Sequence, residues 1–294
     1  MADSTKTMSG KTAVVTGATA GIGEVAAREL ARMGARVVLV GRSREKAEAT
    51  AAMIRREAGD PEVEYFLADL SSQAEIRRLA EEIKARHPRI DVLINNAGAM
   101  ITPRQESVDG IEMTWALNHM GYFLLTSLLL DTLRASAPSR VVSVSSDAHR
   151  TVSGIHFDDV EGKKGYRPLR AYSQSKLANV LFTRELSRRL EGSGVTANSL
   201  HPGVVATRFS SGEGFSFWVL RQATRLLGIS PERGAETTIY LASSPDVEGA
   251  TGGYYTRSRP VKPAAAAQDD EAARRLWALS ETIVGAGGVV RAVS

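Results

Sequence analysis

Thr16-Gly17-Ala18-Thr19-Ala20-Gly21-Ile22-Gly23 joins two segments of different period, and that junction decides the fold. Before it, residues 11–16 read as a short buried strand. After it, Ile22, Val25, Ala26 and Leu30 recur at helical spacing. A glycine-rich turn from strand into helix aims free backbone N–H groups, and the positive end of the helix dipole, at one point. That geometry suits a pyrophosphate. The spacing is Gly-x-x-x-Gly-x-Gly rather than the commoner Gly-x-Gly-x-x-Gly. Taken alone it also suits any tight turn, since glycine serves both purposes.

Outward from the loop, strands and helices alternate with short connections. Residues 36–40, 62–68, 91–94, 140–144 and 195–200 read as further strands, the first of them very apolar, as a strand buried on both faces should be. Ser72-Gln-Ala-Glu75 is a capping box opening a helix that runs toward Arg86. Helices are expected over about 113–135 and 171–190, and one headed by Ser230-Pro231-Glu232 ends near Leu241. Residues 253–256 suit a final edge strand. Repeated β-α units with apolar strands imply an α/β fold: a doubly wound parallel sheet with helices on both faces and right-handed crossovers. No linker divides residues 1–260, which read as a single domain. The tail over 261–294 changes character. Asp269-Asp270-Glu271 heads an expected helix to about Ile283.

Composition narrows the chemistry. The 294 residues are 43% hydrophobic and 24% charged, with no cysteine, which removes disulfides, thiolate metal sites and cysteine nucleophiles. The net charge of +4 is spread over helix faces of alternating sign, so nothing favours nucleic acid. Five histidines include no His-Glu-x-x-His pattern, so a catalytic metal is not expected. The first ten residues have no apolar leader and no uncharged run reaches membrane-spanning length, so a cytoplasmic location is the expectation.

Asn95-Asn96-Ala97-Gly98 follows the fourth strand. Its amides can bind backbone at a strand end, while Ala97 and Gly98 let a flat adenosine approach; an Asn-Gly-type turn is the plainer alternative. Tyr172-Ser-Gln-Ser-Lys176 places a phenol and an ammonium on one helix face. A tyrosine with an ordinary pKa near ~10 is a poor acid–base group at neutral pH, and a neighbouring cation brings it closer. A chance surface pair reads the same way. Ser145-Ser146 ends the fifth strand, where a hydroxyl can stabilise a developing oxyanion or simply cap a turn. Asn118 is polar within an apolar helix: a functional amide, or a satisfied buried one that kinks it.

In this order the motifs, followed by Pro202-Gly203, resemble the short-chain dehydrogenase/reductase family over about residues 10–255. Val141-Val-Ser-Val-Ser-Ser-Asp-Ala-His149, Asn118-His-Met-Gly-Tyr-Phe-Leu-Leu-Thr126 and Ser175-Lys-Leu-Ala-Asn-Val-Leu-Phe-Thr-Arg-Glu-Leu186 look like its retinol dehydrogenase-like branch. The resemblance implies a Rossmann-type fold and interconversion of a carbonyl and an alcohol with NADP(H). By it, Tyr172 is the acid–base, Lys176 binds the nicotinamide ribose and tunes Tyr172, Ser146 rather than Ser145 polarises the substrate oxygen, and Asn118 holds a relay water. It further implies that Gly17, Thr19, Ala20, Gly21, Ile22 and Gly23 hold the pyrophosphate side of the cofactor. Asp69, Leu70, Asn96, Ala97 and Gly98 line the adenosine side, and Pro202, Gly203, Val205 and Thr207 the nicotinamide side. Homodimers built on the two long helices are common in the family.

Strand two ends in Val40-Gly41-Arg42-Ser43 where NAD-specific proteins carry an acidic residue for the ribose 2′-OH. Gly41 leaves room, and Arg42 with Ser43 suits a 2′-phosphate; a solvated turn is the alternative. Residues 208–229, with Phe215, Phe217 and Trp218, suit a mobile apolar lid over the substrate, or else a helix packed on the core. His201 reads as structural, and His149 as a solvated loop residue or a pocket wall. Two other functions remain open: a protochlorophyllide reductase-like enzyme, which typically carries cysteine near its substrate, and a catalytically silent NADP-sensing regulator, which usually lacks the Tyr or Lys.

Overall fold

The computed structural model describes residues 6–59, 62–203, 210–211 and 229–285. The strand-loop-helix that opens the fold is β1 (Thr12–Thr16) followed by α1 (Gly21–Arg32). Then come β2 (Arg36–Gly41), α2 (Arg44–Glu57), β3 (Val63–Leu67), α3 (Gln73–Arg86) and β4 (Val92–Asn95). The second half continues through β5 (Met100–Ile101), α4 (Met113–Trp115), α5 (Gly121–Ala135), β6 (Ser139–Val144) and α6 (Pro168–Arg189). It ends with β7 (Val195–His201), β8 (Ser210–Ser211), α7 (Pro231–Ser243), β9 (Tyr254–Thr256), β10 (Arg259–Pro260) and α8 (Asp270–Ile283).

The main sheet has the order β10-β9-β7-β6-β4-β1-β2-β3 and is parallel except for β10, which runs antiparallel to β9. The expected edge at 253–256 is therefore covered: β10 lies outside it, a two-residue strand ending in a proline that suits an edge. Alternate residues of each buried strand feed different cores. Val14, Val38, Val40 and Leu93 join α3, α5 and α6 on one face. Ala13, Val15, Val37 and Leu39 join the cluster that holds α1 and α2 on the other. Strand order reverses between β1 and β4, so the crevice at their C-terminal ends is where an open α/β sheet places its ligand.

Helix α8 is part of the core. Trp277 meets Phe123 of α5 edge-on at 4.9 Å, stacks on Phe182 of α6 at 5.8 Å, and Arg184 pairs with Asp270 at 2.6 Å. At the start of α3, Ser72 Oγ accepts the Glu75 N–H at 3.4 Å, as a capping box requires. The Glu75 carboxylate goes elsewhere, to the Asp69 N–H at 2.7 Å, so it braces the turn after β3 instead of the helix cap. The helix expected over 113–135 is broken by a π-turn at Ala116–Met120 between α4 and α5. Among the described residues no helix is long and apolar enough to cross a membrane.

Candidate active site

The glycine loop and the Asn-Asn-Ala-Gly turn are locked together at the strand reversal. Thr16 Oγ1 donates to the Ile94 carbonyl (3.1 Å) and accepts the N–H groups of Asn96 (2.8 Å) and Ala97 (3.1 Å). Asn96 Nδ2 answers with a bond to the Thr16 carbonyl at 2.8 Å. Gly17 has φ +64°, and a Cβ on it would lie 2.9 Å from Cα of Ala97. A Cβ on Gly23 would run into the Gly17 carbonyl and the Asn96 amide. Ala20 caps α1 with no side-chain bond, which leaves the first-turn N–H groups of Gly21, Ile22 and Gly23 open toward the crevice. A backbone cradle without side chains and with free donors fits a dinucleotide pyrophosphate.

Around that cradle, Gly41 gives room to Thr19, whose Cγ2 would be 2.7 Å from a Cβ there. Arg42 is exposed and, among the described residues, has no side-chain partner, while the next arginine, Arg44, reaches Tyr65 and Glu48. The Ser43 hydroxyl caps α2 by accepting the Lys46 N–H at 3.4 Å. Asp69 Oδ1 accepts both the N–H and the Oγ–H of Ser71, so one carboxylate oxygen is committed to its own turn. Leu70 is buried, with its carbonyl against Gly121. Pro202 and Gly203, the latter at φ +91°, follow β7 directly. Val205, Thr207, Phe215, Phe217 and Trp218 lie outside the described residues. Of the expected lid, residues 210–211 pair in parallel with β5.

The polar centre lies beside this cradle, at the end of β6 and on α6. Tyr172 is 9% exposed and hydrogen-bonded to Ser146. Ser145 faces the other way: its Oγ donates to the Lys176 carbonyl at 2.7 Å and fastens β6 to α6. Lys176 Nζ donates to the Val144 carbonyl at 3.0 Å and stands 5.6 Å from the Tyr172 ring centre and 5.7 Å from that of Tyr122. A Cβ on Gly98 would meet Asn118 Oδ1 at 3.0 Å and Lys176 Nζ at 3.4 Å, so the missing side chain lets these groups converge. Asn118 is fully buried, with both amide donors committed. Oδ1 accepts the Ala99 N–H (2.9 Å), while Nδ2 donates to the Ala99 carbonyl (2.9 Å) and Ser175 Oγ (3.0 Å). These bonds pin the π-turn to the strand-end loop and use both N–H donors of the amide.

Burial sets the charge states. It pushes the Tyr172 phenol well above its usual range, against a smaller opposing effect of the Ser146 bond, so the group holds its proton at neutral pH. Burial pushes the Lys176 ammonium down to about 7. Two O–H groups, from Tyr172 and Ser146, can therefore be offered to one oxygen.

Three histidines are structural. His201 Nδ1 accepts the Asp147 N–H at 3.2 Å. His119 is fully buried against Trp115 and Ser280, and burial lowers it to about 3. His149 is also fully buried, which corrects the expectation of a solvated loop residue: both ring nitrogens are bonded inside the protein. Thr16 and Ser175 carry positioning roles that residue type and spacing do not announce, although each lies next to a motif.

The short chain dehydrogenase family model matches residues 11–214. Human retinol dehydrogenase 13 is 48% identical over 286 residues, covering 95% of this chain and 86% of that protein. A crystal structure from Mycobacterium paratuberculosis superposes with a TM-score of 0.76 at 38% identity, over 94% of each chain. The Pseudomonas aeruginosa RhlG/NADP active-site complex does so with a TM-score of 0.66 at 28% identity, over 85% of this chain and 96% of that one.

Proposed function

The chain belongs to the short-chain dehydrogenase family, within its retinol dehydrogenase-like branch, as a carbonyl/alcohol oxidoreductase; from that premise we propose that it is an NADPH-dependent reductase of apolar aldehydes or ketones. The observation that carries this reading is the Tyr172 phenol, protonated, bonded to Ser146 and overlooked by the Lys176 ammonium, at the end of β6 beside the strand reversal of the sheet. The bound nicotinamide supplies the hydride. Tyr172 O–H delivers the proton to the substrate oxygen, and Ser146 Oγ–H orients and polarises that oxygen. Lys176 holds the ribose hydroxyls and favours the phenolate left behind. Gly17 through Gly23 seat the pyrophosphate, and Asn96, Ala97 and Gly98 line the adenosine side.

Support for NADPH comes from Arg42, a guanidinium with no side-chain partner among the described residues, just after β2 where an acidic residue would mark NAD. A charge-assisted bond of roughly 1.5–3 kcal/mol corresponds to ~10- to 150-fold preference for NADPH over NADH in kcat/KM. Arg42→Ala is expected to bring that ratio near unity, and an unchanged ratio would remove Arg42 from the site. The apolar substrate is supported by the relative named for retinol and by Phe215, Phe217 and Trp218 in sequence. A carbonyl panel with product identification tests it: long-chain and ring-bearing aldehydes should exceed short hydrophilic ones in kcat/KM, and the reverse order would refute the apolar pocket.

The two serines make a paired test. Ser146→Ala should lower kcat by about 10²-fold, far beyond the cost of about 1 kcal/mol for the cap its Oγ gives the Ala148 N–H, whereas Ser145→Ala should hold kcat within about threefold. Ser145→Ala should cost stability, about 1 kcal/mol for a buried hydrogen bond, measured by denaturant unfolding. Interchanged effects would reverse the roles. A homodimer on α5 and α6 would meet α8, because Trp277 already covers Phe123 and Phe182. Light scattering tests for the homodimer, and a dimer through that face would require α8 to leave it.

A further inference from the structure

We propose that His149 is a positioning residue for Ser146, holding the catalytic serine's backbone and coupling it to the segment before α8; this rests on the reading of Ser146 as the group that polarises the substrate oxygen. Ser146 lies where β6 gives way to a short 3-10 turn at Asp147–Thr151. Nothing in a strand ladder holds a serine there. Its carbonyl accepts the backbone N–H of His149 at 3.1 Å and the ring Nδ1 at 2.7 Å. The other ring nitrogen, Nε2, faces the N–H of Ala264 at 3.1 Å. An amide N–H can only donate, so Nε2 is the bare nitrogen and Nδ1 carries the proton that it gives to the Ser146 carbonyl. The tautomer is set from the far side, by a residue over a hundred positions away in sequence.

Other bonds brace the same turn. The His149 ring packs edge-on against Tyr254 at 4.9 Å, and Tyr254 donates to Asp147 at 3.1 Å. Arg150 reaches the Lys262 carbonyl at 2.9 Å, a second tie to the segment before α8. Thr151 Oγ1 donates to Ser173 Oγ at 2.9 Å, on the helix that carries Tyr172. With its carbonyl doubly held and its Oγ accepting the Ala148 N–H at 3.2 Å, Ser146 is fixed at both backbone and side chain beside Tyr172. Positioning errors of an ångström are enough to cost a reaction about 10²-fold.

Two substitutions separate the ends of this clasp. The Asn side chain places an N–H₂ where Nδ1 stands, and the Gln side chain places a carbonyl oxygen where Nε2 stands. His149→Asn keeps the bond to Ser146 and should hold kcat within about threefold, while His149→Gln keeps the Ala264 bond and should lose about tenfold or more. NADPH affinity should be unchanged in both. Equal losses in kcat that track the melting temperature would overturn the proposal and leave His149 a packing residue. Nitrogen NMR of histidine-labelled wild-type protein gives a test without turnover: the Nδ1–H tautomer is expected, and the Nε2–H tautomer overturns the clasp. In the same way the Ser146 carbonyl carbon shift should move in the Gln variant and hold in the Asn variant. A wild-type enzyme inactive on every carbonyl would refute the functional reading, with the tautomer and carbonyl shift still deciding the clasp.

Discussion

A Tyr172→Phe enzyme is expected to bind NADPH with near-normal affinity and to lose about 10²–10⁴-fold in kcat. The ring stays, so the burial of this face of α6 is kept. What disappears is one O–H, the proton source at the substrate oxygen. Burial holds the phenol's pKa above its usual range, so wild-type protein carries that proton throughout the neutral range. Stopped-flow turnover and cofactor titration separate the two effects. Retention of more than about a third of wild-type turnover would exclude Tyr172 as the proton donor.

Lys176→Met should give a protein that is nearly inactive and yet more resistant to unfolding without cofactor. Burial lowers the Lys176 pKa from its usual 10.5 to about 7. Below about 7 the ammonium is charged in both states, and the folded state bears the full cost of burying it. Between about 7 and 10.5 only the unfolded chain keeps the proton, so this group's penalty shrinks as pH rises and is gone above that window. Methionine fills similar space with no charge, at the loss of one bond to the Val144 carbonyl. The apoprotein's Tm at neutral pH is therefore expected to rise by about 2–5 °C, a gain that narrows toward pH 10. Turnover should fall by about 10²-fold or more, since ribose binding and phenolate stabilisation go together. A lower Tm across the whole pH range would show that Lys176 is a structural cation.

The parallel sheet was legible because each central strand is apolar on both faces and each glycine turn sits at a strand end. Features that depend on distant partners were not. The π-turn at Ala116–Met120 follows from Asn118 bonding to Ala99 and Ser175, contacts that exist only once β5 and α6 are placed. Helix α2 is hard to see because its buried face is Ala47, Thr50, Ala51 and Ile54, too small for a strong apolar stripe. His149 looks like a loop residue until Ala264 is brought to its Nε2 by the chain that follows β10. The Tyr-x-x-x-Lys pair was readable because helical spacing alone sets it on one face. That Ser146 faces Tyr172, with Ser145 turned to the Lys176 carbonyl, takes the three-dimensional register of β6 against α6.

Label transfer tests the central claim most directly. A long-chain aldehyde is reduced by wild-type protein with NADPH carrying deuterium on the transferring face of the nicotinamide, and the product alcohol is analysed by mass spectrometry. The expected product holds one deuterium on the carbinol carbon for each NADPH consumed, at a rate that collapses in Tyr172→Phe. NADPH bound but not consumed, or alcohol formed without the label, would contradict an oxidoreductase built on Tyr172, Lys176 and Ser146.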